Sequence, residues 1–268
     1  FYNELAKPSK PSTAPLSAKS IKNIHGVLHK ALKQAVLIGY LRTNPSEACI
    51  LPRIIRKEMH PLEEDQVAVF LREVQGHPHE YLYKIALFTG LREGEVLGLG
   101  WEHIDFQTGT LTVKRQLRRE QKKGGGYYFS PPKNNKSRCL TLAPSVIQLF
   151  RLQKLEQNSM RMEAGDAWEE HGLIFTNQTG SYLSYRTVYD CFKRIVRNIG
   201  APATRFHDLR HTFAVASIKS GDDIKTVQEN LGHATAAFTL DVYGHVTKQM
   251  KRDSAQRMEQ FIQAVSAG

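Results

Sequence analysis

Apolar residues recur at helical spacing along one stretch near the start of the chain. Ile21, Ile24, Leu28, Ala31 and Ala35 share a face, while Lys19, Lys22, Lys30 and Lys33 lie elsewhere on the same helix. With Ser17 as N-cap and Gly39 as a stop, the spacing predicts an amphipathic helix from Ser17 to about Ile38 with a basic face. Ahead of it, residues 1–16, rich in Pro, Ser and Lys, read as a linker or arm rather than an element. The period is lost again across LPRIIRKEMHP, residues 51–61, which divides the chain into a helical domain at 1–55 and a longer one at 56–268.

In the longer domain the spacing predicts helices at Leu62–Val74, Tyr81–Phe88, Ser145–Gln157, Tyr185–Ile199, Asp208–Ser220, Ile224–Leu231 and Asp253–Val265. A further helix starts at Arg92, just after the Thr89 and Gly90 break. Between Ile104 and Leu142 the period drops to two. Leu111, Val113, Arg115 and Leu117 alternate, Tyr127–Phe129 forms a second strand and Cys139–Leu142 a third, giving one small antiparallel sheet; Leu173–Thr176 is a further short strand. The fold class is therefore mainly α with a small antiparallel β-sheet.

Charge changes the picture more than composition does. An apolar fraction of 41% over 268 residues supports real cores, but a net charge of +11 and a pI near 9.6 point to a polyanionic partner, nucleic acid ahead of an anionic membrane. Through His60 there are ten Lys and Arg against three Glu, and the hairpin region from Lys114 to Arg138 carries nine against Glu120 alone. Lys19, Lys22, Lys30, Lys33, Arg115, Arg118, Lys136 and Arg138 are the candidate DNA contacts; solvated faces are the competing reading. Cys49, Cys139 and Cys191 form neither a CxxC pattern nor an even set, so a reducing compartment is expected and neither a disulfide framework nor a zinc site. No run of eighteen apolar residues and no signal-peptide core occurs, so the expected location is cytoplasmic, without membrane. The start at Phe1 rather than Met suggests a piece of a longer protein.

Candidate chemistry is concentrated between Phe206 and Tyr243. FHDLRHTF, LGH and YGH supply His207, Arg210, His233 and Tyr243, a set suited to a phosphodiester: a guanidinium for phosphate oxygens, imidazoles for protons, a phenol as nucleophile. His207 and Arg210, at i and i+3, project from one face of a helix start. Arg92 and Glu95 have the same spacing, which by itself suggests an ion pair. Lys133 sits in the turn PPKNNKSR, where a plain backbone contact is the alternative and Lys136 its nearest rival. His25 and His29, at i and i+4 without a third ligand, read as a surface or phosphate-facing pair.

TGLREGEVLGLGW, PPKNNKSR, HDLRHTF, LGH and Tyr243, in that order across residues 62–246, together resemble the tyrosine recombinases, or phage-type integrases. LSAKSIKNIHGVLHKALKQAV and NPSEA are similar to the core-DNA-binding domain of integrases of phages and conjugative transposons. The resemblance implies that Arg92 and Arg210 hold the non-bridging oxygens of the scissile phosphate and that Glu95 supports Arg92. It implies that Lys133 protonates the leaving 5′ oxygen, His207 takes the proton of the nucleophile, His233 hydrogen-bonds the phosphate, and Tyr243 attacks. It further implies no cofactor, double-stranded DNA as partner, a tetramer with a Holliday junction, a tail helix docking on a neighbour or in cis, an absent N-terminal arm-binding domain, and accessory bending or excision factors. The expected activity is site-specific strand exchange for integration and excision of a mobile element. A type IB topoisomerase-like relaxing enzyme and a non-catalytic DNA-binding regulator are the alternatives.

Overall fold

Ser17 begins the first long helix as its sequence predicts, its hydroxyl accepting the Ser20 N–H at 3.1 Å. In the computed structural model, residues 1–7, 14–54, 59–120, 122, 124–133, 135–232 and 246–266 are described, and the chain divides into two compact units, Phe1–Glu58 and Met59–Gly268.

The first unit holds α1 (Tyr2–Leu5) and α2 (Ala18–Leu37). Among its described residues Ile21 is the one fully buried apolar side chain, so polar contacts do much of the tying. Tyr2 Oη and His25 Nδ1 are 3.1 Å apart, His29 Nδ1 meets Ser46 Oγ at 2.9 Å, and Asn44 Nδ2 donates to the His29 carbonyl at 3.2 Å. Two expectations change. Part of the N-terminal arm is helical, and the His25 and His29 pair hydrogen-bonds to its own chain, because the NPSEA turn buries Asn44 and Ser46 and needs partners for them. Lys19, Lys22, Lys30 and Lys33 remain exposed.

In the second unit, α3 (Glu64–Glu73) and α4 (Glu80–Thr89) lead to the short α5 (Glu93–Leu97). Five strands follow, β1 (Ile104–Asp105), β2 (Thr110–Val113), β3 (Gln116–Arg119), β4 (Tyr127–Ser130) and β5 (Arg138–Thr141). Then come α6 (Pro144–Ala164), α7 (Tyr185–Asn198), α8 (Phe206–Lys219), α9 (Ile224–Leu231) and α10 (Val246–Ser266). Phe70, Tyr83, Phe192 and Phe206 bring α3, α4, α7 and α8 to one aromatic core, with ring centroids 5.6–6.5 Å apart. Buried among them, the Tyr83 hydroxyl donates to the Val188 carbonyl at 2.8 Å.

The expected single sheet is two. β2 lies between β1 and β5, whereas β3 pairs with β4 in a second sheet, so the continuous alternation from Leu111 to Leu117 is cut at Lys114 and Arg115. Arg115 is drawn out of the ladder: its Nε donates to the Gly98 carbonyl at 2.9 Å, its Nη2 pairs with Glu102 at 3.0 Å, and its guanidinium covers Phe129. Leu173–Thr176 forms isolated bridges rather than a strand. Side chains of α6 take the carbonyls a neighbouring strand would use, Gln157 binding Leu173 at 2.8 Å and Gln153 binding Ile174 at 3.1 Å. Both α6 and α10 outrun their apolar periods, α6 through NSMRMEA, a run of mostly good helix formers with no face to bury.

Gly98 lets β3 lie directly against the end of α5, since a Cβ there would come within 2.7 Å of Leu117 N and 3.0 Å of the Gln116 carbonyl carbon. Backbone cannot yield cheaply, so Gly98→Ala should cost about 1–3 kcal/mol. Gly26, inside α2 with open space around it, should gain about 0.5–1 kcal/mol as alanine. Urea denaturation of the two variants checks this; equal midpoints would refute the close approach.

Candidate active site

α4 stops at Gly90, whose left-handed φ of +63° turns the chain and whose missing Cβ leaves room for Phe213. Two residues later Arg92 caps α5 with extended backbone. Its N–H donates to Glu95 Oε2 at 2.9 Å and its Nη1 to Glu95 Oε1 at 2.8 Å, so one carboxylate fixes both main chain and guanidinium. Glu95 is completely buried and receives two more bonds, from Arg138 Nη1 at 3.0 Å and Nη2 at 2.7 Å. Burial alone pushes its carboxyl up, but Arg138's hydrogen bonds and charge, then those of Arg92, outweigh it and hold the group down at about 2.

Arg138 was expected on DNA and is instead turned inward, its side chain 9% exposed, with Nε donating to the Asn230 carbonyl at 2.8 Å. Residues 138 and 140 share one face of β5, Leu142 just past its end continues the alternation, and Leu140 and Leu142 are buried. That alternation is the sequence signal that could have placed Arg138 inside. Arg115 is likewise engaged within the protein, as described, whereas Arg118 and Lys136 are exposed. Lys133 is exposed on the turn leading into β5.

On α8, positions 207, 210 and 211 fall on one face. Asp208, wholly buried, accepts from the Arg205 N–H and guanidinium and locks the first turn. Arg210 is 2% exposed; its Nη1 donates to the Gly90 carbonyl at 2.7 Å and its Nη2 to that of Leu231, joining the end of α4 to the end of α9. The His207 and His211 rings meet edge to face at 5.1 Å. Burial first, then His211, Arg210 and Arg92, press His207 down to about 4, against an opposing pull from Asp208. His207 is itself exposed to solvent, so water moderates this pressure, but the direction stands: a value below the ordinary histidine range leaves the ring neutral at neutral pH. His211 is lowered to about 4 by burial and by Arg210 and Arg205, with Asp208 opposing.

The structure thus gathers Arg92, Glu95, His207 and Arg210. His233 and Tyr243 lie outside the described residues. Glu93, which sequence did not single out, has a buried Oε1 without a hydrogen-bond partner among the described residues, and burial raises its carboxyl to about 7. Among the described residues no cluster of His, Cys, Asp or Glu could hold a metal ion. A cavity of about 610 Å³ lies elsewhere, bounded by α4, α6 and residues 175–183. Its lining includes Glu156 and Glu163 and no Lys or Arg, which makes it a poor seat for a phosphate.

Residues 60–250 match the sequence signature of the Phage integrase family. The chain is 28% identical to a XerC-like tyrosine recombinase of Caldanaerobacter subterraneus over 96% of its own length and 68% of that protein's. It is 27% identical to the ICEBs1 integrase of Bacillus subtilis over 92% and 67%. Its fold matches the Tn1549 transposon integrase, solved in complex with transposon right end DNA, with a TM-score of 0.75, 25% identity and coverage of 91% and 80%. A match over that much of the chain, coinciding with the arginine and histidine cluster, places the protein in the phage integrase family of tyrosine recombinases.

Proposed function

We propose that this chain cleaves and rejoins double-stranded DNA at specific sites through a 3′-phosphotyrosine intermediate, for integration and excision of a mobile element. The observation that carries the reading is the convergence of Arg92, Arg210 and neutral His207, with Glu95, the carboxylate bound to Arg92, sealed away between two guanidiniums. A phosphate arriving there meets cations and an acceptor. Similarity to an integrase held on transposon-end DNA supports the same substrate class.

In this reading the Tyr243 oxygen attacks the scissile phosphorus, forming a P–O bond to tyrosine as the bond to the 5′ oxygen breaks. His207 takes the phenol's proton, and Lys133 gives one to the departing oxygen. Arg92 and Arg210, with His233, hold the non-bridging oxygens as charge builds on them; the Gly90 and Leu231 carbonyls hold the Arg210 guanidinium in place for this. Reversal by a 5′ hydroxyl of the partner strand rejoins DNA without an external energy source. Lys19, Lys22, Lys30 and Lys33 on α2, and Arg118 and Lys136 in the second unit, serve as phosphate contacts. Met258, Phe261, Ile262 and Val265 on α10 are 49–64% exposed, a helical stripe that a neighbouring protomer would cover in a tetramer.

On a nicked suicide substrate the parent should accumulate covalent protein–DNA adduct and Tyr243→Phe none; an equal yield from the variant refutes the nucleophile. Lys133→Ala should lose about 10²–10⁴-fold in cleavage, and a 5′-bridging phosphorothiolate, whose leaving group needs no proton, should restore it; restoration of Lys136→Ala instead would move the acid there. With His207 held below its usual range, its neutral form persists as pH falls through the ordinary histidine value. The pH profile of kcat/KM should therefore be flat from about pH 7.5 to about 6 and decline only toward the lowered value. An acid limb centred near 6.5 that disappears in His207→Gln would contradict this.

A further inference from the structure

Arg138 combines three features that a DNA contact would not have. Its side chain is almost wholly buried, each of its three nitrogens donates to a protein oxygen, and its acceptors lie on two different elements. Through Nη1 and Nη2 it grips both oxygens of Glu95 on α5, and through Nε it reaches the Asn230 carbonyl at the end of α9. The main chain beneath it is fixed as well, since Arg138 pairs with Val113 across β2 and β5. Its stem passes close over Gly232, the left-handed cap of α9, where a Cβ would stand 3.0 Å from Arg138 Cδ. Lysine cannot reproduce this, having one donor centre where the site uses a planar fork with three.

The connections radiate to groups with assigned chemistry. Glu95 is shared between Arg138 and Arg92, so a displacement of one guanidinium is felt by the other. Five residues before Arg138, in the turn leading into the same strand, is Lys133, and three residues after Asn230 in sequence the LGH motif reaches His233.

We propose that Arg138 is a positioning residue that ties the Lys133 turn to the Arg92 clamp and to the end of α9, so that leaving-group acid and phosphate clamp are set in register by one guanidinium. This rests on the recombinase reading above for the parts played by Lys133 and Arg92. It replaces the phosphate-contact role that the charge of the hairpin suggests.

The test uses the whole chain with Arg138→Gln and Arg138→Lys, and Arg118→Ala as a surface comparison. DNA affinity is measured across a salt series, and single-turnover cleavage on oxygen and 5′-bridging phosphorothiolate substrates. Both Arg138 variants should bind within about threefold of the parent with an unchanged salt slope, whereas Arg118→Ala should lower the slope by about one. Cleavage of the oxygen substrate should fall on the order of 10²-fold, and the phosphorothiolate should recover about tenfold of it, because part of the loss is a misplaced proton donor. A merely structural role would slow both substrates alike, so an unchanged ratio of the two rates overturns the proposal. So does a salt slope reduced like that of Arg118→Ala, or cleavage within about threefold of the parent. If Arg138→Gln fails to fold, Arg138→Lys, which keeps a charge beside Glu95, carries the test; failure of both by circular dichroism assigns Arg138 to folding alone and overturns the proposal. A parent that forms no adduct on either substrate refutes the recombinase reading itself, and this inference with it.

Discussion

A carboxylate with no exposed surface can remain ionised only if the protein surrounds it with donors, and Glu95 takes four from two arginines. Those arginines come from segments nearly fifty residues apart, one before the strands and one at their end. Neither α5 nor β5 can settle without the other, because an orphaned partner would leave a buried charge at a cost of about 3–5 kcal/mol. The same constraint orients Arg92. Stability and, in the proposed mechanism, phosphate binding are therefore set by one interaction, and a change that loosens Arg92 also threatens the fold.

A second arrangement works alongside it at the C-terminus of α9. The last carbonyls of a helix lack intrahelical partners and carry the negative end of its dipole. Arg138 takes the carbonyl of Asn230 and Arg210 that of Leu231. Each arginine is thereby held and partly compensated before any anion arrives. Preorganised donors of this kind need little rearrangement when charge develops on a phosphate. The cost of burying the guanidiniums is met by backbone that needed partners in any case.

How much of this could be read from sequence depended on how local the cause was. His207 and Arg210 share a face because their spacing fits one helical turn, and Arg92 meets Glu95 three residues on because a helix starts between them, with Arg92 as its cap. Arg138 was misread because a count of charge treats every cation on a basic hairpin alike; its inward face is visible only when Leu140 and Leu142 are read as its strand mates. The split of the sheet was hidden for a related reason. Alternation from Leu111 to Leu117 is unbroken in sequence, and only the Gly98 carbonyl, Glu102 and Phe129, brought in by the fold, pull Arg115 out of line. Leu173–Thr176 has strand composition, but its carbonyls were claimed by glutamines on α6. In each case a distant polar partner overrode a local pattern.

The histidine at the cluster shows how such an environment can be put to use. His207 is held neutral by burial and by the charges of Arg210 and Arg92, the two groups assigned to the phosphate. Neutrality makes it free to accept a proton, but a lowered pKa also makes it a weaker base. An arriving phosphate offsets both guanidinium charges and adds its own negative charge beside the ring, and each of these effects raises the affinity of His207 for a proton. In the proposed mechanism the base is thus weakest in the free protein, where deprotonating Tyr243 would serve nothing, and strengthens when the bond to be broken is in place. Coupling of this kind needs no moving part. It follows from sharing the same two arginines between the substrate and the proton acceptor.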